Sequence, residues 1–360
     1  MAVAALSAVL GAGCGGGEAP EAKVGAQEPR AAPVRRATPS PPPVRTRDAG
    51  RLVVLRFTGP TLPGYVDRAL RAGRAGGVVL FADNVVDPSQ LRALTRAVRQ
   101  ASRGRALVLA DQEGGAVRIV RAAGPQLGAA AQAAAGAVRE QSAAGGRALR
   151  ASGVDVALAP VADVATVAGS ALAGRAFSRD PRAAASAVAE AVAGFRAGGV
   201  APTLKHFPGL GGATVNTDDG PATMAGRPEL TPFRAGIRAG APVVMVSHAR
   251  YPALDPRRIA SQSPRILRGL LRSELGFGGV VVTDSLEADA VLRTGSVEAT
   301  ASRSVRAGVD LILTTGQGSY LRVTRALEAA ATRSDAFAAR VREAGARVER
   351  LRRAIRAGRP

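Results

Sequence analysis

The chain has 360 residues, 46% of them hydrophobic and 3% aromatic, with no Trp and a formal charge of +21. That length and apolar content suit one large domain or two small ones with an aliphatic core of Val, Leu and Ala, and exclude a chain disordered throughout. The charge would suit nucleic acid, but arginines are scattered over every amphipathic segment, no long basic run occurs and no aromatics interleave for base stacking, so no nucleic-acid partner is expected.

Cys14 is the only cysteine, which rules out an internal disulfide. It follows Met1–Gly13, an uncharged stretch of small and apolar residues too short to cross a bilayer as a helix. Leu10-Gly11-Ala12-Gly13-Cys14 resembles the cleavage box of a bacterial lipoprotein signal peptide, which implies acylation at Cys14 and an extracytoplasmic, membrane-anchored or secreted protein. The alternative is an unstructured Ala/Gly-rich start. Residues 15–48 are rich in Gly, Ala, Pro, Glu and Arg and run into Thr38-Pro39-Ser40-Pro41-Pro42-Pro43. Such a stretch buries no core and is expected to be a disordered spacer.

From residue 49 to 360 short β-like runs alternate with helical segments. The expected strands are Leu52-Phe57, Gly77-Phe81, Ala106-Ala110, Asp155-Ala159, Ala201-Lys205, Val243-Ser247, Val280-Thr283 and Val309-Leu313. Between them lie amphipathic stretches, among them Asp87-Arg103, Gly136-Ser152, Pro181-Gly198, Pro228-Ala239, Ser263-Leu275 and Val297-Gly308. Asp87-Pro88 and Ser263-Pro264 read as a helix cap followed by a first-turn proline. Apolar runs separated by helices, hydrophobic on both faces, predict a parallel α/β sheet. Eight of them predict a closed (β/α)8 barrel, with a doubly wound open sheet as the alternative. Ser319 to Arg356 reads as one or two helices packed outside the barrel, their arginines on a solvated face.

In such a barrel the chemistry belongs at the C-terminal ends of the strands. Asp111-Gln112-Glu113-Gly114-Gly115 follows the third run, Asp163 and later Arg175 the fourth, Lys205 and His206 the fifth, Ser247-His248 the sixth, and Asp284-Ser285-Leu286-Glu287 comes at the end of the seventh. Lys205 is one of only two lysines and His206 one of only two histidines in a chain that otherwise uses Arg. Any one of these residues alone reads as well as a helix cap or a satisfied core residue. Together on one rim, Asp111, Asp284, Arg175, Lys205 and His206 make a charged cup suited to a polyol. No phosphate loop and no His/Cys cluster with metal spacing is present, so no cofactor and no metal are expected.

Asp111-Gln112-Glu113-Gly114-Gly115, Lys205-His206-Phe207-Pro208-Gly209, Ser247-His248 and Val282-Thr283-Asp284-Ser285-Leu286 resemble, in order and spacing, glycoside hydrolase family 3 and its single-domain bacterial β-N-acetylhexosaminidase branch. The resemblance covers roughly residues 50–330. It implies a (β/α)8 barrel and a retaining mechanism through a covalent glycosyl-enzyme. It assigns Asp284 as nucleophile and Asp111, Arg175, Lys205 and His206 to holding the sugar. The implied substrate is a glycan ending in β-linked N-acetylglucosamine-type residues, such as a peptidoglycan fragment.

The chain departs from the family in one loop. The branch continues Lys-His-Phe-Pro-Gly-His-Gly and later carries Asp-Ser-His, whose Asp and His act together as general acid/base. Here Leu210 stands in place of the first of those histidines, and Asn216, Thr217 and Asp218 occupy the Asp-Ser-His positions. Either Asp218 is itself the acid/base, with Asn216 as an uncharged partner and Asp219 in reserve, or the protein is a catalytically weak, tethered glycan-binding pseudoenzyme. β-Glucosidase specificity within the same family is a third alternative.

Overall fold

The computed structural model describes residues 10–17, 44 and 46–360, and the chain divides into two units, 1–42 and 43–360. In the first unit residues 10–17 have no regular secondary structure, and Cys14 is exposed. The rest of the signal-like segment and most of the spacer lie outside the described residues. In the second unit regular structure begins with the helix Thr46–Gly50, whose Ala49 is fully buried. The last three residues of the stretch read as spacer therefore sit in that helix.

Eight strands form the barrel: β1 (Val53–Leu55), β2 (Gly77–Leu80), β3 (Leu107–Ala110), β4 (Val156–Ala157), β5 (Ala201–Phe207), β6 (Val243–Val246), β7 (Val280–Ser285) and β8 (Leu311–Thr314). All neighbouring pairs are parallel. β8 closes the ring onto β1 through Val53↔Ile312, Val54↔Leu313 and Leu55↔Thr314. This closure makes the fold a (β/α)8 barrel and removes the open-sheet alternative.

The period-2 geometry of a strand explains why these runs are apolar throughout. Alternate side chains, among them Val54, Val79, Leu109, Val156, Met245, Val282 and Leu313, form one cluster inside the barrel. Their neighbours in sequence, such as Val53, Val78, Val108, Leu204, Val244 and Ile312, form the second, larger cluster beneath the helices. Helix starts follow the caps legible in the sequence. Asp87 accepts from the backbone N–H of Ser89 and Gln90 ahead of Pro88–Ser102, and Asp180 from Ala183 ahead of Pro181–Ala197. Ser263 Oγ likewise accepts from Ile266 N at the start of Arg265–Glu274, a helix wound with π-type hydrogen bonds.

The last helix, Asp335–Arg356, corrects one expectation. It does not simply lie on the outside: Val348, Leu351 and Ile355 join the inner cluster and close the end of the barrel at which the strands begin. Its arginines are not uniformly solvated either. Arg340 and Arg352 are buried, and Asp310, at the start of β8 and fully buried, accepts from Arg340 at 2.5 Å and from Arg272 at 2.6 Å.

Candidate active site

The C-terminal rim surrounds a cavity of ≈ 430 Å³ lined by Asp111, Arg175, Lys205, His206, Asn216, Asp218 and Asp284, together with Arg56, Ser285 and Glu287. That volume is in the range of small-ligand sites. Asp111, Arg175, Lys205, His206, Asp218 and Asp284 thus reach one cavity; Asp219, the reserve acid/base, does not line it, and Cys14 belongs to the other unit.

Lys205 and His206 are consecutive, so an unbroken strand would point them to opposite faces. The pairing of β5 with β6 shifts register between Leu204 and Phe207, and this irregularity lets both side chains line the cavity. Lys205 is the hub of an ion network. Its Nζ lies 2.5 Å from Asp111 Oδ1 and 2.6 Å from Glu113 Oε1, while Arg175 clamps Glu113 through Nε (2.9 Å) and Nη2 (2.6 Å). Burial alone would raise the Glu113 pKa, but Lys205 and Arg175 overcome it and hold the carboxyl at about 2. Burial would likewise lower the pKa of Lys205, and Asp111 with Glu113 reverse this, so the ammonium stays charged.

Glu113 is the functional residue that sequence reasoning passed over. It stands two residues after Asp111, the spacing that places two side chains on one face of an extended chain. Gln112 between them turns the other way, and its amide donates to the carbonyls of Val120, Ala123 and Gly124. Asp163 was similarly underrated. Its Oδ2 accepts from His206 N (2.9 Å) and meets His206 Nδ1 (2.7 Å), and its Oδ1 accepts from Leu210 N (2.5 Å). One buried carboxylate therefore orients the His206 ring and anchors the loop that follows it.

That loop, 209–220, is tied down along its length. Ala171 N donates to Ala213 O (2.9 Å), and at the other end Asp289 N and Ala290 N donate to Asp218 O (3.1 Å) and Thr217 O (3.2 Å). Gly211 passes so close to Val164 that a Cβ there would sit 1.9 Å from its carbonyl oxygen. Asp218 is thereby held at the mouth of the cavity. Asn216 Nδ2 donates to Asp218 Oδ2 (3.4 Å), and Asp218 N donates to Asn216 Oδ1 (3.3 Å).

The two carboxyls that share the cavity are driven in opposite directions. Desolvation by the cavity wall, then the negative charge of Asp284, raise the Asp218 pKa to about 6. For Asp284, burial also pushes upward, but the charges of His206, His248 and Lys205 and a hydrogen bond from Ser285 N (2.8 Å) prevail, and its pKa lies below the usual carboxylate value. His248 is buried beneath Asp284 with Nδ1 2.8 Å from Ser261 Oγ, and burial lowers its pKa against the opposing pull of the Asp284 charge. Among the described residues no group of three or more His, Cys, Asp or Glu is arranged to hold a metal ion.

Residues 63–351 match the model of the glycosyl hydrolase family 3 N-terminal domain. The chain belongs to glycoside hydrolase family 3. It is 36% identical over 278 residues to a beta-hexosaminidase of Xanthomonas oryzae pv. oryzae, covering 73% of this chain and 83% of that protein. A beta-hexosaminidase of Stenotrophomonas maltophilia is 37% identical over 278 residues, 73% of this chain and 82% of the other. Among solved structures, a family 3 β-N-acetylglucosaminidase from Paenibacillus sp. str. FPU-7 superposes with a TM-score of 0.82 at 32% identity, covering 87% of this chain and 63% of that longer one. This chain thus spans slightly under two thirds of the Paenibacillus enzyme. A β-N-acetylhexosaminidase from Beutenbergia cavernae DSM 12333 gives a TM-score of 0.80 at 32% identity over 85% of this chain and 98% of the other.

Proposed function

We propose that this glycoside hydrolase removes terminal β-linked N-acetylglucosamine-type residues with retention of configuration. One observation carries the mechanism: a single cavity holds one carboxyl kept ionised, Asp284, and one whose pKa is raised to about 6, Asp218. Two carboxyls poised in opposite protonation states are the acid and nucleophile a retaining glycosidase requires. The relatives named beta-hexosaminidase and β-N-acetylglucosaminidase supply the sugar. Neither the pseudoenzyme nor the β-glucosidase alternative is favoured by those names.

In this mechanism Asp218, protonated, donates to the departing glycosidic oxygen as Asp284 Oδ attacks the anomeric carbon. The bond to the aglycone breaks and a glycosyl-Asp284 ester forms. Asp218, now a carboxylate, takes a proton from water, whose oxygen attacks the anomeric carbon and releases Asp284. The balance closes with one water consumed and both groups restored. Lys205 and Arg175, cross-linked through Glu113, and Asp111, paired with Lys205, give a pre-ordered grid of donors and acceptors for the sugar hydroxyls, while Asp163 sets the His206 ring beside it.

The test is turnover of an aryl β-N-acetylglucosaminide and an aryl β-glucoside by the purified protein. The N-acetyl substrate should be strongly preferred. A 2-deoxy-2-fluoro glycosyl fluoride should leave a covalent adduct on Asp284, absent from Asp284→Ala. An Asp284→Ala variant with full activity would end the proposal. We further infer that the natural substrates include peptidoglycan fragments and that Cys14 is acylated, anchoring the protein outside the cytoplasm. The exposed Cys14 after Leu10-Gly11-Ala12-Gly13 supports the second inference. Radiolabelled palmitate that enters the wild type in a bacterial host but not Cys14→Ser checks it.

A further inference from the structure

At the opposite end of the barrel a second cavity of ≈ 280 Å³ opens beside the starts of β3 and β4. Four of its lining residues are arginines, Arg99, Arg150, Arg352 and Arg356, against one acid, Asp155. Its apolar wall includes Leu107 and Ile355, which keep the local dielectric low and strengthen any charge interaction inside. Nothing in the glycosidase reaction uses these residues.

The arginines are only partly neutralised. Asp155 accepts from Arg99 Nη2 at 3.1 Å and lies 3.7 Å from Arg150 Nη1, while its second oxygen is taken by Val108 N at 3.0 Å. One carboxylate thus serves two guanidinium groups. Arg352, only 8% exposed, donates Nη1 to Arg105 O at 2.6 Å and pairs with Glu349, yet its Nε is buried with no partner. A buried guanidinium N–H without an acceptor is costly. Arg356 donates to Gly104 O, and a Cβ at Gly104 would sit 2.9 Å from its Nη2, so glycine leaves room for that guanidinium. Burial first, then the like charges of Arg356 and other nearby arginines, depress the Arg352 pKa to about 10.

We propose that this cavity binds a phosphate group, as a free phosphate or pyrophosphate or as the phosphodiester headgroup of an anionic lipid. Planar guanidiniums arranged around a small polar cavity are the donors that phosphate oxygens accept from in paired fashion. An anionic phosphate there would offset the mutual repulsion of the arginines.

Isothermal titration of the full chain with pyrophosphate, against chloride at matched ionic strength, is the experiment. Saturable one-site binding is expected, with a rise in Tm that chloride does not reproduce. Arg150→Gln combined with Arg356→Gln, both at the open edge and distant from the glycosidase site, should weaken binding at least tenfold and leave aryl-glycoside turnover unchanged. Arg352→Gln should do the same if it folds, and the edge variant keeps the test valid if it does not. Sedimentation with phosphatidylglycerol vesicles, with phosphatidylcholine as control, separates the two sources. Arginine-dependent vesicle binding displaced by pyrophosphate assigns the headgroup, and pyrophosphate binding without vesicle binding assigns the free anion. Absence of both, or binding that follows ionic strength alone and is unchanged in the double variant, overturns the proposal.

Discussion

Replacing Asp218 by Asn tests the central step of the mechanism. The substitution keeps the side chain's size and its hydrogen bond with Asn216 but removes the proton that the leaving group needs. General acid catalysis contributes about 10² to 10⁴ in rate, or about 3 to 5 kcal/mol of barrier. The pH dependence follows from the structure. A carboxyl whose pKa is raised to about 6 is the neutral donor below that pH. Wild-type kcat/KM should therefore hold level in mildly acidic solution and fall about tenfold per pH unit above about 6. The opposite limb belongs to Asp284, whose depressed pKa keeps it ionised, so the rate should drop only below the ordinary carboxylate range near 3.8. Steady-state assays from pH 3.5 to 9 should show Asp218→Asn losing about 10² to 10⁴ in kcat/KM on an N-acetylglucosaminyl disaccharide. The loss should be far smaller on a dinitrophenyl glycoside, whose leaving group needs no proton, and the limb near pH 6 should vanish. Azide should partly restore turnover by attacking the glycosyl-enzyme without base assistance. Because Asp284 is the second cause of the raised pKa, Asp284→Asn should lower the Asp218 titration midpoint, read by carboxyl NMR. It should remain above 3.8 because desolvation persists. Wild-type turnover of the disaccharide by Asp218→Asn, with the limb near pH 6 intact, would refute the assignment.

Further predictions concern the supporting structure. Glu113 has a folded pKa of about 2 against 4.5 unperturbed, so it contributes about 3 kcal/mol of stability at neutral pH. That contribution is fully present above about pH 5 and is lost as pH falls towards 2; urea midpoints should show this loss in the wild type and its absence in Glu113→Gln. Gly211→Ala would place a Cβ against the Val164 carbonyl and push the 209–220 loop outward. It should cut kcat on the disaccharide more than tenfold and also lower the urea midpoint, because Leu210 and Ala213 on either side are buried in the core. Asp310→Asn should destabilise by about 3 to 5 kcal/mol in the same urea assay, since it leaves Arg272 and Arg340 facing a neutral group at a buried site.

Much of this site is legible in the sequence, because barrel topology converts order in sequence into position on a rim. Lys205, His206, Asp111 and Asp284 all fall at strand ends, and closure of eight parallel strands brings strand ends together whatever their separation in sequence. Glu113 and Asp163 were harder to read. Their importance lies in which side chain each one faces, and pairings such as Glu113 with Arg175 span distances in sequence that no local pattern encodes. The last helix was misjudged for a related reason. Its amphipathic pattern predicts that one face is buried but does not say against what, and Leu351 and Ile355 in fact close the barrel beneath the strands.

The amino-acid sequence by itself determined the alternation of apolar runs and capped helices, hence the (β/α)8 barrel, and the residue types available at its rim. It also determined that the loop after Lys205-His206 carries Asn216 and Asp218 where an Asp and a histidine would be expected. Tertiary structure alone decided what those residues are chemically. Asp218 has its pKa raised because the loop holds it against the cavity wall near Asp284, and Asp284 stays ionised because His206, His248, Lys205 and the Ser285 amide surround it. Protonation states depend on distance and desolvation, which exist only once strands far apart in the chain have closed into one ring.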